Sequence, residues 1–93
     1  MNTELLNRIS HDMNLDQETL LNQGVRSFLK DRRKMMLLER LDLLSRNRAT
    51  SKEELQRKIE DGEVEEHPTW EDLIVIENLD AELKKIDEYL ASL

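Results

Sequence analysis

The chain has 93 residues, of which 38% are hydrophobic and 38% charged, with two Gly, one Pro, no Cys and a net charge of −7. A chain this short makes one domain at most and buries only part of its surface, so a homodimer is the expected assembly. The absence of Cys excludes disulfides, thiolate metal sites and thiol nucleophiles, and the scarcity of Gly, Pro and β-branched or aromatic runs leaves nothing from which to build a β-sheet.

No apolar run approaches membrane-spanning length, and Met1-Asn2-Thr3-Glu4 lacks the basic and apolar regions of a signal peptide, so a cytoplasmic location is expected. Charge is unevenly distributed. Residues 1–48 hold nine Lys/Arg against seven Asp/Glu, and residues 49–93 hold five against fourteen, which gives nets of +2 and −9. This asymmetry divides the chain into an N-terminal region for dimerisation or DNA contact (1–48) and an acidic partner-binding region (49–93). The two halves meet different partners, or each other.

Leu5 or Leu6, Ile9 and Met13 recur at helical steps and predict a short helix from Thr3 to Met13. Asp16 is a predicted N-cap, with Leu15 before it placed to staple onto Leu20. From Gln17 to Asn47 only Gly24 interrupts a run of helix formers. Leu21, Val25, Phe28, Leu29, Met35 and Met36 lie on one side of this segment, and Leu37, Leu41, Leu43 and Leu44 on nearly the opposite side. A single helix here must serve two cores, or else it breaks near Asp31–Lys34. Ser51-Lys52-Glu53-Glu54 is a capping box that opens a third helix bearing Leu55 and Ile59, which Gly62 ends. After the acidic loop 63–68, Thr69 is the predicted cap of the last helix, with Asp72 at its third position. Ile76, Leu79, Leu83, Ile86, Leu90 and Leu93 form a heptad seam suited to zipping against a neighbouring helix, with Asp80–Lys84 as an exposed i,i+4 pair. The expected fold is all-α: a short helix, a long helix, a short helix and a C-terminal heptad helix, assembled as a helical dimer.

Carboxylate pairs occur by chance in so acidic a chain, and no Ser/His/Asp spacing or phosphate-cradling glycine loop stands out, so no catalytic residue is expected. His11 and His67 each lie near carboxylates without a convergent ligand set, so neither a metal nor a cofactor is expected, nor a small-molecule substrate. Arg26, Lys30, Arg33 and Lys34 occupy one basic face of the long helix and are the candidate DNA contacts, although such a face is more often simply solvated. Glu65, Glu66, His67, Trp70, Glu71, Asp72 and Leu73 are the candidate contacts for a basic protein partner. Six acidic residues between Asp61 and Asp72 surround the single Trp with no basic residue among them. The bland reading, in which Trp70 covers the chain's own core, stands beside this one.

Residues 4–29, from Glu4-Leu5-Leu6-Asn7-Arg8-Ile9 through Leu15-Asp16-Gln17-Glu18-Thr19-Leu20 to Phe28-Leu29, are similar to the two helices of ribbon-helix-helix regulators. Those regulators read DNA with an N-terminal strand paired across a dimer. The present sequence opens on its first helix, so that mode of reading is not expected here. The segment Glu60-Asp61-Gly62-Glu63-Val64-Glu65-Glu66-His67-Pro68-Thr69-Trp70-Glu71-Asp72-Leu73 resembles a motif in small prokaryotic antitoxins of the TumA type, encoded beside a small RNase-like toxin. The resemblance implies a non-enzymatic antitoxin of a type II toxin–antitoxin pair, which binds and neutralises a small basic toxin and regulates its own promoter. The alternative is a helical scaffold or adaptor with no nucleic-acid role.

Overall fold

The computed structural model describes residues 1–93, apart from the side chain of Glu66. Among the described residues it contains four helices and no strand: α1 (Thr3–Asp12), α2 (Gln17–Arg46), α3 (Lys52–Glu60) and α4 (Glu66–Ser92). Three helix starts carry the side-chain caps that satisfy otherwise orphaned backbone N–H groups. Asn2 Oδ1 accepts from the Leu5 N–H at 2.7 Å, Asp16 Oδ1 from that of Thr19 at 2.6 Å, and Ser51 Oγ from that of Glu54 at 3.0 Å. The Thr19 N–H holds the Asp16 carboxyl below the ordinary carboxylate range. Glu54 reaches back one residue beyond the cap, accepting from the hydroxyl and the N–H of Thr50 at 2.5 and 3.0 Å, and these bonds lower its own carboxyl.

The first three helices all end in the same way. Asn14, Arg48 and Gly62 have φ of 58°, 53° and 70°. In each case the left-handed residue and its successor donate back into the last turn, as Gly62 to the Ile59 carbonyl and Glu63 to that of Lys58. Gly62 takes this conformation at no steric cost, whereas Arg48 adopts it against its Cβ.

α2 is one unbroken helix of 30 residues, and α4 runs antiparallel beside it. Their shared core contains Met36, Leu43 and Leu44 of α2 and Leu73, Ile76, Leu79, Leu83 and Ile86 of α4. Leu55 of α3 is buried within this core together with Ala49 from the connector. The predicted heptad seam therefore closes within the chain, except at its end: Leu90 is half-buried, and Leu93 stays exposed past the last turn packed on α2. The molecule is a rod of 61 × 20 × 18 Å. Among the described residues no helix is long and apolar enough to cross a membrane.

A row of arginines on α2 flanks this seam. Arg26 donates to the Leu93 carbonyl at 3.2 Å, Arg33 Nε to Asp87 at 2.8 Å and Arg40 Nε to Asp80 at 2.6 Å. The seven-residue spacing of 26, 33 and 40 keeps all three on one flank, and their partners descend α4 as α2 ascends. Asp80 is thus held by Arg40, not by the predicted Lys84, because the antiparallel register brings a planar guanidinium to both carboxylate oxygens. Such partly exposed pairs are each worth about 1 kcal/mol or less, so they set register while apolar burial supplies stability. Leu73→Ala is expected to lower unfolding free energy by about 2–5 kcal/mol in urea denaturation, against about 1 kcal/mol or less for Arg40→Ala. Arg48→Gly is expected to raise it by about 1 kcal/mol through relief of the left-handed strain.

Candidate functional site

The acidic segment between α3 and α4 is positioned from both sides. Upstream, the Gly62 turn ends α3. Downstream, α4 begins one turn before the predicted start, at Glu66, with Glu65 as N-cap and no side-chain cap bond. Pro68 lies in this first turn, where its missing N–H costs nothing and its fixed φ already suits a helix. Thr69 and Asp72 are consequently inside α4 and do not form its cap. Both side chains turn to the C-terminus of α2: Thr69 Oγ1 donates to Asn47 Oδ1 at 3.4 Å, and Asp72 accepts from Asn47 Nδ2 at 2.8 Å and from Arg46 Nε at 2.9 Å. Arg46 Nη2 closes the fork on the other Asp72 oxygen, and Asn47 Nδ2 also donates to the Leu43 carbonyl at 2.8 Å.

This clamp locks the first turns of α4 to α2, and helical geometry then divides the predicted partner-binding set in two. Thr69, Asp72, Leu73 and Ile76 point inward and are buried. His67, Trp70, Glu71 and Ile74 follow the same i, i+3, i+4, i+7 spacing on the outer face. Trp70 is 50% exposed and Ile74 43%. His67 lies 3.5 Å from Glu71 across one turn, and Glu65 is exposed beside them. Asp72 and Leu73 are therefore removed from the candidate contact surface, because the clamp and the core occupy them. The side chain of Glu66 lies outside the described ones. Ile74 is the member that sequence reasoning missed, and its spacing of four from Trp70 was the available signal. With Asp61, Glu63, Glu65 and Glu71 all exposed, the outer face is one half-exposed indole and an isoleucine within a negative field.

The basic face of α2 is divided in a similar way. Arg26 and Arg33 turn toward α4 and are engaged by the Leu93 carbonyl and Asp87, whereas Lys30 and Lys34 are exposed and make no ion pair among the described residues. The two lysines rim a shallow groove with Leu37, Leu38 and Leu41. Of the second apolar side of α2, Leu43 and Leu44 turn into the core while Leu37 and Leu41 stay exposed, with Leu38 beside them. No three His, Asp or Glu side chains converge to hold a metal among the described residues.

Bonding by Arg46 keeps the Asp72 carboxyl below the ordinary carboxylate range; burial opposes this and Asn47 reinforces it. A carboxyl depressed on folding adds stability that is complete above its unfolded pKa of about 4 and is lost as pH falls through its lower folded value. Asp72→Asn is expected to flatten the stability profile below about pH 4 and to cost about 1–3 kcal/mol at pH 7, measured by urea unfolding across pH.

Fold and site together define an all-α protein in which two long antiparallel helices present an acidic, Trp-bearing end. The chain belongs to the uncharacterized protein MJ0235 family, whose sequence profile matches residues 1–93. No curated protein and no solved structure matches it.

Proposed function

We propose that this protein is a non-catalytic, antitoxin-like binding protein whose acidic end grips a small basic protein, a toxin encoded beside it. The observation that carries the reading is Trp70, half-exposed on a helical turn that the Asp72 clamp immobilises. A large aromatic presented from a tethered helical turn contributes contact area with little backbone ordering cost, and such residues dominate interface energetics. The surrounding carboxylates of Asp61, Glu63, Glu65 and Glu71 favour a cationic partner and speed its approach. The resemblance of residues 60–73 to the TumA-type motif supports the same partner class.

DNA contact is the lesser part of this reading, since Arg26 and Arg33 are engaged within the chain and leave Lys30 and Lys34 as the cations of that face. A scaffold or adaptor role would use the same helical surfaces without DNA.

Co-purification with the product of the adjacent reading frame tests the proposal. A stable complex is expected, with affinity falling about 30-fold or more on Trp70→Ala while helix content is unchanged. An adjacent product that is not basic and does not bind, or an unaffected Trp70→Ala complex, refutes it. Retardation of promoter DNA that weakens steeply with salt, and is lost on Lys30→Glu with Lys34→Glu, is the expected sign of operator contact.

A further inference from the structure

The buried core does not reach the N-terminal third of the molecule. No apolar residue before Met36 is fully buried, and Leu29 is only half-buried against the core's edge. Beyond it, α1 and the first half of α2 form a two-helix hairpin whose apolar side chains line an open groove of about 400 Å³. Leu6 and Ile9 lie on one wall, and Leu20, Leu21, Val25 and Phe28 on the other. Phe28 is 66% exposed and Leu21 53%. Two short helical pieces without a core are marginal alone in water.

We infer that a second copy of this chain covers this groove, with the two α2 helices packed antiparallel about Val25 and Phe28. Three observations identify the occupant. First, Glu18, Leu21, Val25, Phe28, Arg32 and Met35 alternate in steps of three and four, which is a heptad seam on the α2 face turned away from the Arg26–Arg33–Arg40 row. Second, the charges within that seam are self-complementary only in the antiparallel sense. Glu18 and Arg32 stand at opposite ends of the Leu21–Phe28 stretch, and a two-fold axis near its middle brings Glu18 of each copy to within a turn of Arg32 of the other. A parallel pairing sets like charges side by side.

Third, Gly24 lies inside the helix beside this seam, and no described atom comes within 4 Å of where its Cβ would be. Glycine weakens a helix interior, and no neighbour within this chain needs it there. A helix packed closely from outside would use the space that its missing side chain leaves. The size of the face agrees with this occupant. From Glu18 to Met35, α2 runs about 26 Å, and α1 beside it widens the face to about 20 Å. Tyr89 of α4 extends it further, lining a hollow with Phe28 and Arg32. Covering such faces on both copies buries on the order of 1,000 Å² in total, the level at which specific interfaces begin.

Sedimentation equilibrium of the full chain at micromolar concentration tests this. The expected result is a dimer of the 11.1 kDa chain, converted to monomer by Val25→Glu and by Gly24→Leu with helix content by circular dichroism retained. Glu18→Lys and Arg32→Glu are each expected to weaken the dimer about tenfold, and their combination in one chain is expected to restore it. A wild-type chain that stays monomeric overturns the inference, as does a dimer unaffected by Val25→Glu and Gly24→Leu. Failure of the double charge exchange to restore association overturns the antiparallel pairing. Binding of the acidic end to a basic partner is a separate reading, and loss of one leaves the other standing.

Discussion

The antiparallel pairing of α2 with α4 is the constraint from which the rest of the structure follows. Helical stability in a folded protein comes mainly from packing of an apolar face and less from propensity, so each helix depends on the apolar face of the other. Leu73, Ile76, Leu79, Leu83 and Ile86 supply one side of that contact, and Met36, Leu43 and Leu44 the other. Hydrophobic contact is non-directional, and by itself it leaves the helices free to slide by a turn. The row formed by Arg33 with Asp87, Arg40 with Asp80, and Arg46 with Asp72 removes that freedom, because a slip of one turn separates every cation from its carboxylate. Three pairs of opposite charge from the two halves are thus used inside the molecule.

The same register determines where the acidic end can act. Because Thr69 and Asp72 are drawn onto Asn47 and Arg46, the first turns of α4 are immobilised and the opposite face of those turns is directed outward. His67, Trp70, Glu71 and Ile74 form that face. Preorganisation of this kind lowers the ordering cost of binding, which is why a clamp centred on the buried Thr69 and Asp72 bears on recognition without touching a partner. The negative field around Trp70 comes from Asp61, Glu63, Glu65 and Glu71, none of which pairs with an arginine of α2 among the described residues.

At the other end of the rod, a helical hairpin extends beyond the core with Leu21, Val25 and Phe28 uncovered. The molecule therefore has two unlike ends, one acidic and aromatic, the other apolar and rimmed by charges of both signs. Lys30 and Lys34 lie between them with Leu37, Leu38 and Leu41.

Local chemistry made much of this legible in the residues alone. The all-α class, the Asp16 and Ser51 caps, the stop at Gly62 and the inward seam from Ile76 to Leu90 follow from propensity, capping and periodicity, which act over a few residues. The same is true of the place of Trp70 in an acidic setting. Only the tertiary structure decided how the basic and acidic residues pair, because Arg33 and Asp87 are 54 positions apart and no local rule connects them. It also decided that Thr69 and Asp72 are tertiary ligands of α2 and not a helix cap: the pattern Thr-x-x-Asp is compatible with both, and Asn47 and Arg46 outcompete the backbone for the two side chains. The expectation that α2 must serve two cores or break resolves in favour of one continuous helix. Met36 from one side and Leu43 and Leu44 from the other enter the same core with α4, while Leu21, Val25, Phe28, Leu37 and Leu41 stay exposed because so short a chain buries only part of its apolar surface.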